Sequence, residues 1–290
     1  MCGLTIREET VYGQVDTGGT SEYGGTLQTM TTSDTETTEA QIKCGSIVTE
    51  EPYTVSTATG FSATFNHKRG QGWERWIELA NGGLDGAKST SPSFDTEFRV
   101  AADEFHLLTG CRVDSLSIAG QGIGQALLFS VTAVSRWHTM TPFADSDGSP
   151  LTMDPAAVPS GAPLTFNFPW EYSTDGSRFD RIPAKSFTLS IARSLQSEPG
   201  LSKEEGYQLE AGGDSVAQDS EIKLELTVTS SGPEWDRLRL ALQKGMTFRA
   251  VIDGRTVTLS GCSIDPAGPQ RTQGTYDETI TITATDMVVA

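Results

Sequence analysis

The clearest regularity in this chain is an alternation of apolar and polar residues in its second half. Four apolar residues alternate with Lys, Glu and Thr: Ile222, Leu224, Leu226 and Val228. A period of two puts successive side chains on opposite faces of a strand, so one face is predicted to pack into a core. A turn at Ser230-Ser231-Gly232-Pro233 follows, and Glu234–Leu242 is then predicted to be a short helix, since proline suits a helix start.

Beyond this helix the pattern predicts a hairpin and a closing strand. Thr247–Ile252 and Arg255–Ser260 flank Asp253-Gly254, a dipeptide typical of a type I′ turn between antiparallel strands. After a loop rich in proline and glycine, Thr279–Thr285 alternates again. The predicted order of this unit is strand, helix, hairpin, strand.

The first half of the chain follows the same plan. It offers in turn a strand, a helix, paired strands and a closing strand: Phe61–His67, Trp73–Ala80, Phe98–Ile118 and Leu127–Ala133. Gly110-Cys111 has a counterpart in Gly261-Cys262, and a single inserted residue then aligns Phe98 with Phe248. Because the matches keep their order along the chain, the sequence predicts a mainly β protein with two tandem domains, each with a short flanking helix, related by internal duplication.

These segments divide the chain into four parts. Residues 1–42 are rich in Thr, Ser and Gly and hold one basic residue, Arg7, against seven acidic ones, which predicts an extended N-terminal arm. Residues 43–136 and 164–290 are the two predicted β domains. Residues 137–163 carry five prolines among Gly, Asp and Ser, and are predicted to be a linker or long loop.

The net charge of −17 restricts the functional classes. An acidic chain without a basic run is poorly suited to hold nucleic acid, since neutralising phosphates needs clustered Lys and Arg. No apolar run reaches the roughly 18 residues of a membrane helix, and the first residues lack the apolar stretch of a signal peptide. We therefore expect a protein that folds in the cytoplasm and does not contact membranes.

Residue types that often carry chemistry are few. The cysteines are Cys2, Cys44, Cys111 and Cys262. Their spacing fits no metal motif, which favours buried reduced thiols over a disulfide or a metal site. The histidines are His67, His106 and His138. Each has a structural place on or beside a predicted strand, so a Cys111–His106 nucleophile pair is the weaker interpretation.

Other candidate motifs also have simpler structural interpretations. Gly120-Gln121-Gly122-Ile123-Gly124 superficially resembles a phosphate-binding loop, but a strand-like segment follows it, which favours a hairpin turn. Asp145, Asp147 and Asp154 carry a trace of calcium-loop spacing without its closing Glu. The tryptophans Trp73 and Trp235 occupy equivalent positions, which favours core packing over a sugar-stacking platform. We assign no catalytic, cofactor-binding or metal-binding residue and expect no cofactor.

Three segments together resemble one family. They are Thr5–Gly13, Thr109–Ile118 and Lys185–Leu195. The first is similar to the "E-x-x-x-G" opening of phage tail tube proteins, also called major tail proteins, and the others are similar to two strands of that family. The second Gly-Cys segment departs from the family pattern, because Asp265-Pro266 interrupts the strand there.

The resemblance implies a non-enzymatic structural protein of the virion tail, assembled in the host cytoplasm. It implies β-barrels or sandwiches whose strands join neighbours in stacked rings of six domains. Two domains per chain would give a trimer with pseudo-sixfold symmetry, and a hexamer of whole chains is the competing arrangement. The implied channel is lined with Asp and Glu and passes DNA without binding it specifically. The implied partners are a tape measure protein in the channel and the tail terminator and distal tail proteins.

The residues themselves leave two other classes open. An acidic β protein with several tryptophans also fits a β-sandwich binding module, such as an adhesin or a carbohydrate-binding protein. A glycan-active enzyme needs two carboxylates at a set separation, and nothing in the sequence selects such a pair.

Overall fold

The computed structural model of this protein is mainly β, which confirms the predicted class. It describes residues 3–9, 21–39, 53–86, 92–101, 104–140, 158–167, 169–196, 216–229, 245–264 and 277–290. Among these residues, fifteen strands join in one hydrogen-bonded network, and one helix packs against them.

The first seven strands and the helix come from residues 3–140. Their bounds in chain order are β1 Gly3–Glu8, β2 Glu22–Glu39, β3 Tyr53–Asn66, α1 Glu74–Asn81, β4 Phe94–Ala101, β5 Glu104–Gly120, β6 Leu128–Ser135 and β7 Trp137–Met140. Strands β4, β1, β2, β3, β6 and β5 pair in that order, and β4 also pairs with β5. This last pairing closes a six-stranded barrel, and β7 adds to β5 outside the ring.

The barrel forms because its strands alternate apolar and polar residues. Phe61, Phe65 and Phe129 point inward and are at most 1% exposed, whereas Ser62 and Thr132 between them face out. Phe65 and Phe129 stack with ring centroids 5.4 Å apart. Burying side chains of this size contributes roughly 2 kcal/mol each, which offsets the entropy of ordering the strands.

Helix α1 packs its apolar side onto this core. Trp76 is fully buried, donates its indole N–H to the carbonyl of Gly24 at 2.7 Å, and lies 5.1 Å from the ring of Phe65. The helix ends at Gly82, whose φ of 81° lets its N–H bond the carbonyl of Glu78 at 2.8 Å. A glycine is favoured at this position because a Cβ disfavours the left-handed conformation.

The remaining eight strands come from residues 171–289. Their bounds are β8 Glu171–Ser173, β9 Asp180–Arg181, β10 Ala184–Gln196, β11 Val216–Thr229, β12 Met246–Ile252, β13 Arg255–Ile264, β14 Asp277–Ala284 and β15 Asp286–Val289. The order of pairing is β10, β11, β14, β13, β12, β8, β9, and β15 pairs with β13. Strand β10 also pairs with β5 and so joins this group to the barrel.

Most of the predicted elements are confirmed. The alternating segment 222–229 lies within β11, and its four apolar side chains are buried. Asp253 and Gly254 both have positive φ, 50° and 81°, as the predicted type I′ turn requires. The helix predicted over Trp73–Ala80 is α1. The second predicted helix, Glu234–Leu242, lies outside the described residues.

The predicted N-terminal arm needs correction. Gly3–Glu8 and Glu22–Glu39 are strands of the barrel, and Leu4 and Ile6 are buried in its core. The composition misled because β2 is rich in threonine and is held mainly by backbone hydrogen bonds to β1 and β3. The predicted linker is also ordered at one end, where Trp137–Met140 forms β7, while residues 141–157 lie outside the described part.

Strand β13 bends at Gly261. Arg255–Ser260 pair with β12 and β15 before the bend, whereas Ser263 and Ile264 pair with β14 after it. Gly261 has a φ of 61°, and a Cβ placed there would clash with the side chain of Thr285. A glycine is therefore needed where the strand changes partners.

We predict that Gly261→Ala destabilises the fold by about 2–4 kcal/mol, because the positive φ and the steric clash add. Unfolding in denaturant, followed by circular dichroism, measures this. Gly122→Ala is the matched control, since a Cβ at Gly122 meets nothing closer than 3.8 Å. Truncating Thr285 in the Gly261→Ala background should recover part of the loss, and equal stability of both glycine variants would contradict the argument.

Candidate assembly interface

Eight strands form one continuous antiparallel surface with two unlike faces. Their order is β2, β3, β6, β5, β10, β11, β14 and β13. One face is the core side, and the other, which we call the open face, is polar. One row of directly paired residues on the open face crosses all eight strands: Thr29, Thr64, Ser130, Ser117, Ser190, Lys223, Thr283 and Ser263. Every member of this row is at least partly exposed.

The charges on the open face balance in its described part. Its charged side chains on paired positions are Arg112, Lys223, Glu221 and Glu225, two cations and two carboxylates. The other described side chains in these positions are hydroxyl, amide or apolar groups, Leu128 among them. The acidic excess of the chain therefore does not come from this part of the face, and the surface is hydroxyl-rich and close to neutral.

Strand β2 has a long open edge. Strand β1 covers only the first part of it, since the pairing runs from Glu22 to Thr26. From Leu27 to Glu39, β2 pairs with β3 alone among the described residues. An edge of this length leaves backbone N–H and C=O groups facing outward, and such an edge can accept another strand.

Elsewhere in the chain a strand edge is covered by another strand. Residues Phe187–Ala192 of β10 pair antiparallel with Ser115–Gly120 of β5, and this pairing, which we call the internal joint, connects the barrel to the second group of strands. The ring of Phe187 packs on Gly120, where a Cβ would clash with it. The internal joint is thus sealed by side-chain packing as well as by backbone hydrogen bonds.

Side chains near α1 fix the second group of strands onto the barrel. The buried guanidinium of Arg193 donates to the carbonyl of Asn81 at 2.7 Å, and the Asn81 amide donates to the carbonyl of Met287 at 3.2 Å. At the start of the helix, Arg255 bonds Glu74 at 3.1 Å. These contacts hold the internal joint in one geometry.

Two ribbons extend past the rest of the sheet. The first is Thr35–Glu39 of β2 with Tyr53–Ala58 of β3, and the second is Arg193–Gln196 of β10 with Val216–Ser220 of β11. Strands β6 and β14 stop short of them, at Ser135 and Ala284. At about 3.3 Å per residue each ribbon reaches roughly 15–20 Å. A two-stranded ribbon is only marginally stable alone in water, so these ribbons favour a partner.

The glycine-rich segment at residues 120–125 is a turn at the opposite end of the sheet. It connects β5 to β6, as predicted, and does not begin a helix. The N–H of Gly124 donates to the carbonyl of Phe166 at 2.7 Å, and the N–H of Phe166 donates to the carbonyl of Gln125 at 3.3 Å. Ile123, at the tip, is 66% exposed. The interpretation as a phosphate-binding loop is therefore wrong.

The chain matches no protein-family model and no curated protein. The features that bear on its function are the open face, the open edge of β2, the internal joint and the two ribbons.

The cysteines and histidines that the structure describes have structural environments. Cys111 and Cys262 are buried and unbridged, and burial raises the pKa of both thiols, that of Cys262 to about 12. Such thiols stay protonated at neutral pH, which disfavours the Cys111 nucleophile. His106 stacks on Phe98, and its Nδ1 lies 3.0 Å from Nε2 of His138.

Neither a metal site nor a sugar platform emerges from the described residues. In that part of the chain no three His, Cys, Asp or Glu side chains come together as metal ligands. Asp145, Asp147 and Asp154 lie outside it. Trp73, Trp76 and Trp170 are at most 1% exposed, so they pack in the core and cannot stack on a sugar. No helix of the described part is long and apolar enough to span a bilayer.

His67 directly follows β3 and packs its ring against the barrel core. It is 1% exposed, its ring lies 5.2 Å from that of Tyr23 and 5.9 Å from that of Phe129, and its Nε2 has no hydrogen-bond partner. Its carbonyl accepts the N–H of Leu164 at 2.8 Å. Burial lowers the pKa of His67 below its usual 6.5, because a charged imidazolium is poorly solvated there.

We predict that the protein loses stability as pH falls below about 6.5 and that His67→Phe reduces this loss. Below that pH His67 is protonated in the unfolded state, whereas burial opposes its protonation in the folded state, so unfolding is favoured. Denaturant midpoints at pH 7.5, 6.0 and 5.0 test it for both proteins. An unchanged acid sensitivity in His67→Phe, with a normal midpoint at pH 7.5, would contradict the role of this histidine.

Proposed function

We propose that this chain is a structural subunit of a bacteriophage tail tube, which assembles through its sheet edges into rings that stack around a channel. The observation that carries the proposal is the combination of an internal strand joint with an open edge at the matching position of β2. The resemblance of three sequence segments to tail tube proteins supplies the family. The proposal includes no catalytic role.

The order of strand pairing supports an internal duplication. Strands β2, β3, β6, β5, β4 and β1 pair in this order, and β10, β11, β14, β13, β12 and β8 follow the same order. The added strands match too, since β7 pairs with β5 and β15 with β13. Two units of one topology in a single chain are the expected result of a tandem duplication.

The details of register give the same support. Arg112 and Val113 pair with Val134 and Ala133, just as Ser263 and Ile264 pair with Thr283 and Ile282. In both units these residues follow a Gly-Cys pair whose glycine has a similar φ, 68° in Gly110 and 61° in Gly261. Agreement at the level of single residues is hard to reach by convergence of two unrelated sheets.

The duplication suggests how a ring closes. In the second unit β10 presents its edge to β5 of the first, and β2 holds the position of β10 in the first unit. The open edge of β2 is therefore suited to pair with β13 of another copy, because β13 holds the position of β5 in the second unit. Such a head-to-tail contact is heterologous and forms a closed ring if its rotation divides a full turn. Three chains would supply six units, and six whole chains are the alternative.

The open face is the surface that would line the channel. Its hydroxyl-rich described part, with balanced charge, lacks the clustered cations that hold a DNA backbone. The sequence led us to expect a lumen lined with Asp and Glu; the revised proposal is a lining that binds DNA weakly because it is close to neutral. A tape measure protein within the channel, and terminator and distal tail proteins at its ends, complete the proposed set of partners.

The experiment that tests the function is negative-stain microscopy of the purified full chain over a range of concentrations, with sedimentation to count the subunits. We expect rings or tubes with a central channel. Monomers that persist at high concentration would overturn the proposal. Glycan-array binding by such monomers would then favour the binding module.

A second experiment tests the open edge of β2. Backbone N–H groups point to alternate sides along a strand, and proline has no N–H. Of the two substitutions Thr31→Pro and Thr32→Pro, one therefore removes a hydrogen bond to β3, and the other removes a hydrogen-bond donor from the open edge. We predict that one variant is destabilised, whereas the other keeps its fold by circular dichroism but no longer forms rings. Normal rings from both folded variants would exclude this edge from the contact.

A further inference from the structure

We infer that the Ile123 turn, residues 120–125, is the contact on which one ring receives the ribbons of the next ring. The inference rests on the proposed function and adds a specific surface and its occupant, a second copy of this chain. It starts from the exposure of Ile123, the only large hydrophobic side chain found exposed in the described part of the chain.

The turn is held rigidly, so the exposure of Ile123 is built into the fold. Besides the bonds between Gly124, Gln125 and Phe166, the N–H of Leu127 donates to the carbonyl of Leu164 at 2.8 Å. Gly124 has a φ of 82°, which suits glycine and fixes the reversal of the chain. A turn fixed at its base on both sides cannot fold its tip back onto the protein.

The position of the turn identifies what can reach it. The turn follows Gly120, at the end of the sheet where Asn66 pairs with Leu128. The ribbons leave the opposite end, where Glu39 pairs with Tyr53. Along β3 these two ends are roughly 40 Å apart, at about 3.3 Å per residue.

Stacking brings these two ends together. In a tube made of identical rings that all point the same way, the ribbon end of each ring faces the turn end of its neighbour. The first ribbon favours a partner, because beyond the sheet β2 and β3 pair there only with each other among the described residues. The second ribbon is held closer to the protein, since the N–H of Leu195 donates to the carboxylate of Asp114. An exposed isoleucine on a rigid turn supplies apolar surface for the first ribbon, and burying it favours the contact.

The test uses the full chain and two substitutions at one position. We expect Ile123→Asp to form normal rings that stack into tubes only at a concentration at least roughly tenfold higher, since burying one isoleucine is worth a factor of this order or more. Ile123→Leu keeps the apolar side chain and is the matched control. Because the side chain is exposed, neither change should lower the denaturant midpoint. Sedimentation separates rings from tubes, and negative-stain images show tube length.

The outcomes separate this inference from the proposed function. Tubes from Ile123→Asp at the wild-type concentration would overturn the inference and leave the function standing. Wild-type protein that forms no rings would overturn both. Short stacks or single rings from Ile123→Asp, with long tubes from the wild type and Ile123→Leu, would support both.

Discussion

The whole structure depends on backbone hydrogen bonding across strand edges. Strand β5 shows this best, because it pairs with β6, β4, β7 and β10 along different parts of its length. It closes the barrel with its first part and joins the second group of strands with its last. Gly110, with its φ of 68°, stands between these two parts. A strand that serves four partners needs a bend, and glycine permits the bend at low cost.

The second constraint is that each strand buries only one face. Ala63, Val131, Leu116, Ile191 and Ile222 form a buried row across five strands, next to a row of hydroxyls on the open face. Serine and threonine satisfy their own hydrogen bonds in water and still suit a strand, since threonine is β-branched. The sheet therefore remains stable with one side exposed to solvent, as the proposed channel lining requires.

Patterns among neighbouring residues predicted much of this fold, whereas strand pairing between distant segments was missed. The alternation at Ile222–Val228, the turn at Asp253-Gly254 and helix α1 follow from neighbouring residues and are confirmed. Strand β2 was missed, because its burial is slight and its stability comes from pairing with β1 and β3, which no local pattern reports. Its threonines were the available signal, because threonine favours strands.

The alignment of the two halves also needs adjustment where pairing decides it. The sequence comparison aligns Phe98 with Phe248. In the structure Phe248 pairs with Leu259, and the corresponding pair in the first half is Thr96 with Leu108, so Thr96 and not Phe98 matches Phe248. Both strand pairs have a register shift just before this point, between Phe94 and Thr96 and between Met246 and Phe248. In the proposed duplication the side chains at this position would therefore differ, Thr96 in one unit and Phe248 in the other, so residue identity was a poor guide to register here.

In the proposed assembly, the covalent connection between the two groups of strands changes the thermodynamics. The internal joint forms within a molecule, at the high effective concentration that a covalent link provides, and so does not depend on protein concentration. Arg193, Asn81 and Met287 then hold the joint in one geometry. A ring of three such chains would need three intermolecular contacts, whereas a ring of six separate units would need six. Each internal joint would also fix the angle between neighbouring units that the next contact must match. In the proposed ring, the smaller number of intermolecular contacts depends on the open edge of β2, because that edge is where another copy would pair.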